Sequence, residues 1–264
     1  LGDFLNTYIE SRIDIQFHTK RNKQLCAERL TTFFGTKKPL ASIIAGDADE
    51  FKLWLKQEKL APATISMHIK IARQFFKAAL RKKYVNQNPF EGVIAGKQTN
   101  SSRIYFVDRE TIEGVLEACP NTQWQLIFAF ARYGGVRTPS EIASLRWDAV
   151  NWGKARIIIP VPKKSHIDGQ QTRVIPIFPE LRPFLEKAFE EAAEGEEYVV
   201  PLARQSTNLR TSALKIIRKA GFRPWPKVFQ NLRASRENEL MQEYPIHLVL
   251  AWIGHTAAVA QAHY

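Results

Sequence analysis

The chain has 264 residues, 45% hydrophobic and 24% charged, which is enough for two domains that each bury a core. Its 38 Lys and Arg against 26 Asp and Glu give a net charge of +12 and a pI near 9.7, a balance that suits a polyanionic partner such as nucleic acid or an anionic membrane surface. No run of 18 apolar residues is present, so no segment is expected to span a bilayer, and the start LGDFLNTYIESR lacks the basic-then-apolar layout of a signal peptide.

Residues 1–94 read as helical. Asp3 can cap a first helix with Phe4, Leu5, Tyr8 and Ile9 on one face, and Thr19 a second with Leu25, Leu30, Phe33 and Phe34, stopped by Gly35. Phe51, Trp54 and Leu55 mark a third helix. A fourth follows Pro62, where Thr64 can cap a stripe of Ile65, Ile69, Ala72, Phe76 and Ala79. On another face of that helix, Lys70, Arg73, Lys77 and Arg81 fall into one narrow sector. A solvated face is the plain alternative for such a stripe. Four like charges with no acid among them repel one another, which favours contact with phosphates.

The stretch EGVIAGKQTNSSR (91–103) is rich in Gly, Ser, Thr and Asn and reads as a flexible linker. Residues 1–100 hold 17 basic and 9 acidic side chains, whereas 101–264 hold 21 and 17, so the smaller part carries most of the excess charge. Two lobes joined in this way can grip a duplex from opposite sides. Beyond the linker the pattern becomes α+β. Asp108 can cap a helix with Ile112, Val115 and Leu116, and Trp124 to Tyr133 form an apolar helix stopped by Gly134 and Gly135. Thr138-Pro139-Ser140-Glu141 has the form of a capping box opening another helix. Ala155–Val161 and Arg173–Phe178 read as a hairpin with a long polar turn, and helices are expected around 180–194, 206–220 and 228–242, with shorter ones to the end. The acidic run from Glu186 to Glu197 reads as a solvated face.

No phosphate-binding glycine loop, zinc-protease motif or paired-cysteine site occurs, and no His/Asp/Glu cluster has metal-ligand spacing. Cys26 and Cys119 fit reduced, partly buried thiols of a cytosolic protein. The side chains in suggestive settings are cationic. Arg137 follows a Gly-Gly break in ARYGGVRTPSEIASLRW, Arg233 lies early in a helix in FQNLRASRENEL, His255 follows a glycine in AWIGHT, and QAHY ends on Tyr264. Each alone is ordinary; their order and spacing are not.

Together these segments resemble the tyrosine recombinases, or phage integrases, over essentially the whole chain. GGVRTPSEIASLRWDAV is similar to the family's first catalytic box, QNLRASR to its second, and IGHTAAVAQAHY to the closing Leu-Gly-His with a Tyr nine residues later; VPKKSH before RVIPIFPEL resembles the hairpin that carries a catalytic Lys. The resemblance implies a mainly α fold with a small β-hairpin or sheet. A helical SAM-like core DNA-binding domain (1–94), a linker (95–107) and an α+β catalytic domain (108–264) are expected.

It further implies a site-specific recombinase that cleaves and rejoins DNA through a 3′-phosphotyrosine. Arg137 and Arg233 would clamp the phosphate, Tyr264 attack it, Lys163 protonate the leaving 5′ oxygen and His255 serve the phosphate or the tyrosine proton. Glu141 and Gln230 are expected as supporting residues, and Lys164 beside Lys70, Arg73, Lys77 and Arg81 as DNA contacts. No cofactor or metal is expected. The implied partner is double-stranded DNA, bound as a homotetramer by a protein that is monomeric when free, away from membranes and on the cytoplasmic nucleoid. Two positions depart from the family pattern: Gln230 stands where His is usual, and Glu141 lies four rather than three residues beyond Arg137. The chain opens on Leu1 and stops at Tyr264, where the family generally continues, so a longer natural chain is expected. The principal alternative is a catalytically degenerate DNA-binding protein of the same fold. A type IB topoisomerase and a metal-dependent or RNA-binding nuclease rank behind it.

Overall fold

The computed structural model describes residues 1–96, 100–162, 171–205 and 208–255, and these divide into two compact units, Leu1–Ser101 and Ser102–Tyr264. The first unit is helical: α1 (Gly2–Glu10), α2 (Phe17–Phe34), α3 (Ala45–Gln57) and α4 (Pro62–Arg81). Its core is aromatic. Phe51 is fully buried against Phe33, Phe34, Trp54 and Phe90, with ring centroids 5.5 to 6.0 Å apart, and Phe76 continues the cluster to Phe90 at 5.2 Å.

The expected stripe on α4 is buried throughout, and Gly35 ends α2 with φ 87°. Three helix starts lie earlier than their expected caps. α1, α2 and α4 begin one or two residues before Asp3, Thr19 and Thr64, on the N-caps Leu1, Gln16 and Ala61. For α4 the reason is Pro62, whose fixed φ suits a first helical position, so that Ala61 O accepts from Thr64 N and Ile65 N. Leu25 faces solvent instead of the core; Lys23 and Cys26 take the buried positions of α2. Both ends of the segment read as a linker are packed: Val93 is buried in the first unit and Val107 in the second.

The second unit comprises α5 (Arg109–Glu117), α6 (Thr122–Arg132), a three-stranded antiparallel sheet of β1 (Val150–Asn151), β2 (Arg156–Pro160) and β3 (Thr172–Pro176), then α7 (Arg182–Glu190), α8 (Pro201–Gln205), α9 (Leu209–Lys219), α10 (Val228–Glu243) and α11 (Ile246–Ile253). Asp108 caps α5 through Thr111 N at 2.7 Å, and Leu126 to Ala131 of α6 are fully buried between α5, α7 and α10. The sheet follows period-two burial: Ile157, Ile159 and Ile175 face the core while Ile158 and Val174 face out. In that register Ile159 pairs with Arg173, so an arginine occupies a core-facing strand position.

The helix expected at Thr138–Glu141 does not form. One turn leads to a short 3-10 segment, Ile142–Ser144, and the chain is then extended at the buried Leu145. Leu145 O accepts from Val199 N at 3.0 Å and Arg146 bridges Tyr198, which draws the backbone out of helical geometry. The acidic side of α7 is exposed, as its composition suggests. Among the described residues no helix is long and apolar enough to cross a membrane.

Candidate active site

α10 holds polar side chains where an ordinary surface helix would expose them. Asn231, Arg233, Ser235, Arg236 and Glu237 are all buried. Burial of that kind is costly unless every charge has a partner, and each of the three ionic groups here has one. The Arg233 guanidinium donates from Nη1 to Gly135 O at 2.6 Å and from Nη2 to Ile253 O at 2.5 Å, and Nη2 lies 3.1 Å from His255 Nε2. One arginine thereby ties the turn after α6 to the end of α11.

Two glycines make these contacts possible. Gly135 has φ 60° and a Cβ there would meet Ile253 Cδ1 at 2.5 Å; Gly254 has φ 73° and a Cβ would meet Arg173 Cδ at 3.1 Å. The left-handed backbone and the close approach both call for glycine. Arg137, just beyond Gly135, donates from Nη2 to Gly254 O at 3.1 Å and pairs through Nη1 with Glu141 Oε1 at 2.8 Å. Glu141 also accepts from the Arg137 backbone N at 2.7 Å, so its spacing of four residues closes a tight loop on its own arginine. Arg173 approaches Glu141 from β3 with a bidentate pair of 2.6 and 2.7 Å and donates from Nε to Trp252 O at 2.6 Å.

The arrangement therefore gathers Arg137, Arg173 and Arg233 around Glu141, with His255 beside them and Glu237 behind it. Burial pushes the Glu141 carboxyl up, but the hydrogen bonds and charge of Arg173, joined by Arg137, outweigh it and hold the group below the usual carboxylate range. Burial, then repulsion from Arg137 and Arg173, pull the Arg233 guanidinium down to about 9, still cationic at neutral pH. Three guanidiniums against two carboxylates leave a surplus of positive charge. Arg137, with 29% of its side chain exposed, is the member most open to solvent. Convergent, partly desolvated guanidiniums are a setting for a phosphate-like anion.

A second set of ion pairs fixes the opposite side of α10. Arg132, fully buried, makes a bidentate pair with Glu239 at 2.8 and 2.5 Å and donates to Val107 O. Arg236 spans Glu180 with two bonds of 3.1 Å and stacks over Phe178 at 4.5 Å.

Of the residues expected from the sequence, Arg137, Glu141, Arg233 and His255 lie in this cluster. Gln230 is exposed one turn before Arg233 on α10. Lys163, Lys164 and Tyr264 lie outside the described residues. On α4, Lys70, Lys77 and Arg81 are exposed, whereas Arg73 is half-buried with its guanidinium engaged by Phe90 O at 3.0 Å and Val93 O at 2.5 Å. Arg73 thus holds its own domain together as well as standing in the basic stripe. Arg173 and Glu237 were not singled out by the sequence. The signal for Arg173 was its phase with Ile175 on a buried strand face, and for Glu237 its position four residues after Arg233 on one helix face. Among the described residues no group of three His, Cys, Asp or Glu side chains is arranged to hold a metal ion.

Residues 1–99 match the phage integrase SAM-like domain. A curated relative, the tyrosine recombinase XerC of Pediococcus pentosaceus, is 25% identical over 136 residues, covering 50% of this chain and 45% of the relative, so the match spans about half of each protein. Among solved structures, a lambda integrase (75–356) dimer bound to a COC′ core site superposes with a TM-score of 0.76 at 14% identity, covering 97% of this chain and 95% of that one. The Tn1549 transposon integrase (residues 82–397) in complex with circular intermediate DNA gives 0.77 at 14% identity, with 100% and 94% covered. A lambda integrase tetramer bound to a Holliday junction gives 0.78 at 14%, with 97% and 74% covered. The first 99 residues thus match a phage integrase SAM-like domain, and the chain shares the fold of these integrases.

Proposed function

We propose that this protein is a site-specific DNA recombinase that cleaves and rejoins duplex DNA through a 3′-phosphotyrosine at Tyr264. The observation that carries the reading is the meeting of Arg137, Arg233 and His255, distant in sequence, around the carbonyls of Gly135, Ile253 and Gly254. A scissile phosphate bound there would receive paired N–H donors from two guanidiniums, with Arg173 and Glu141 fixing the orientation of Arg137. The transition state of phosphoryl transfer spreads negative charge over its equatorial oxygens, and preorganised cations stabilise it more than the ground state.

Keeping the phosphodiester bond energy in a covalent intermediate removes the need for ATP. A phenolate, with an ordinary pKa of about 10, is both a workable nucleophile and a workable leaving group, so each exchange is reversible. Lys163 is assigned the proton delivered to the 5′ oxygen, and Lys164 a phosphate contact. Lys70, Lys77 and Arg81 are assigned to the DNA backbone, with the half-buried Arg73 adding its charge from behind them. Exchange between two duplexes takes four cleavages, so the working form is taken to be a homotetramer on DNA assembled from monomers, acting on the cytoplasmic nucleoid.

The reading is tested with a nicked suicide duplex from a candidate element end. Wild-type protein should leave a protein–DNA band on a denaturing gel in the presence of chelator, and Tyr264→Phe should leave none while binding the duplex as tightly. The exposed Gln230, where the family's second box has His, favours the alternative of a DNA-binding protein without strand transfer. Tight binding without an adduct in either protein would establish that alternative.

A further inference from the structure

His255 is held by two partners whose chemistry leaves little freedom. Its Nδ1 lies 3.0 Å from Glu237 Oε1, and its Nε2 lies 3.1 Å from Arg233 Nη2. A carboxylate only accepts hydrogen bonds and a guanidinium only donates them. The ring must then donate from Nδ1 and accept at Nε2. Glu237 is fully buried and sits one helical turn beyond Arg233 on α10, so the same rigid element carries the anion-binding guanidinium and the carboxylate that orients the imidazole. The other charged groups facing this corner are Arg137 and Arg173, both packed against Gly254, and Glu141 between them.

We infer that Glu237 is a positioning residue that holds His255 in the Nδ1–H tautomer, making Nε2 the proton acceptor of the arginine cluster. The tautomer stands on the geometry alone; its chemical consequence rests on the strand-transfer reading above. In that step the bound phosphate takes over the Arg233 Nη2 donor and frees the Nε2 lone pair, and the Tyr264 phenol passes its proton to Nε2 as its oxygen bonds to phosphorus. The bond from phosphorus to the 5′ oxygen breaks, and that oxygen takes a proton from Lys163. The resulting imidazolium keeps its Nδ1–H on the Glu237 carboxylate, so the new positive charge forms beside a negative one. Rejoining returns both protons. The device supplies an acid–base pair in a protein whose position 230 carries a non-titrating amide.

The test uses the full chain labelled with nitrogen-15 histidine, with His255→Gln to assign the ring signals. Two-bond proton–nitrogen correlation on the neutral ring should show the Nδ1–H tautomer for wild type. Glu237→Met removes the acceptor at similar length; the ring should revert to Nε2–H and single-turnover cleavage of the suicide duplex should slow about 100-fold, with DNA affinity unchanged. Glu237→Gln keeps an acceptor oxygen without the charge and should fall between the two. An Nε2–H signal in wild type overturns the inference, as does a Glu237→Met protein with the wild-type tautomer and rate. Should Glu237→Met not fold, the wild-type spectrum and Glu237→Gln decide. A wild-type Nδ1–H signal without any covalent adduct would retain the tautomer and overturn strand transfer, and an adduct with Nε2–H would do the reverse.

Discussion

The two units place their charges in opposite ways. In the first, the core is a cluster of aromatic rings around Phe51, and the ion pairs Arg12–Asp14 and Arg29–Glu58 lie at the surface, with at least a third of each side chain exposed. In the second, Arg132, Arg173, Arg233 and Arg236 are buried, and carboxylates or carbonyls take up their Nη donors. Exposed cations on a rigid helical scaffold attract a polyanion at low cost and are screened by salt. Buried guanidiniums contribute little net stability, because desolvation offsets their attraction, but they hold donors in place before any ligand arrives. On the proposed reading, the contrast gives the holding of DNA to the first unit and the chemistry to the second.

The largest effect that sharpens this contrast belongs to Arg233. Arg233→Lys retains a charge and loses the fork that reaches Gly135 O, Ile253 O and His255, so single-turnover cleavage should fall about 100- to 1,000-fold, equivalent to about 2.7–4 kcal/mol. A tenfold loss or less would mean that charge alone suffices there.

Next in size is a stability comparison between matched carboxylates. Glu141→Gln leaves Arg173 buried against a neutral amide and should cost about 3–5 kcal/mol in denaturant unfolding of the second unit. Glu58→Gln removes the exposed partner of Arg29 and should cost less than about 1 kcal/mol. Equal costs would erase the distinction between the units.

A milder, graded version is acid sensitivity. Burial raises the carboxyls of Glu141, Glu180 and Glu239, but their arginine partners prevail, joined at Glu180 by its own backbone, so all three lie below their ordinary value. Groups depressed in the folded state contribute stability that is present above the unfolded value of about 4.3 and is lost as pH falls through the folded values. Peptide-level hydrogen exchange on a descending pH series should therefore show the second unit losing protection first. Earlier loss in the first unit would contradict the assignment.

The smallest effect is in salt dependence. Neutralising Lys70, Lys77 or Arg81 singly should lower the slope of log affinity against log salt by about one if each touches a phosphate. Arg73→Lys should act differently, lowering stability through its lost contacts to Phe90 O and Val93 O while leaving the slope nearly unchanged. Unchanged slopes in the other three variants would make the stripe a solvated face.

Much of this was legible in the sequence because it follows from periodicity. The α4 stripe, the buried α6, the Asp108 cap and the β2–β3 hairpin are local signals that packing preserved. The helix expected at Thr138–Glu141 was illegible for a physical reason: Leu145 and Arg146 pair with residues more than 50 positions away, and a local cap cannot outweigh that pairing. Arg137, Arg233 and His255 could be picked out by motif, yet nothing local showed that the carbonyls beside two glycines would hold them. Arg173 and Glu237 were hidden in plain patterns, one as a polar residue in phase with a strand's apolar face, the other as one glutamate among several on α10. Arg73 looked like its neighbours in the stripe, and its inward commitment depends on a loop twenty residues further on.

The most direct test of the central claim is the identity of the residue that carries DNA. Adduct trapped on a suicide duplex, trimmed with nuclease and digested with trypsin, should place the nucleotide on the peptide that begins at Glu237. That segment contains two tyrosines, Tyr244 and Tyr264. Fragmentation should locate the nucleotide on Tyr264, nine residues after His255. A nucleotide on Tyr244, or on any peptide other than this one, would contradict the assignment of Tyr264 as the nucleophile served by the Arg137, Arg233 and His255 cluster.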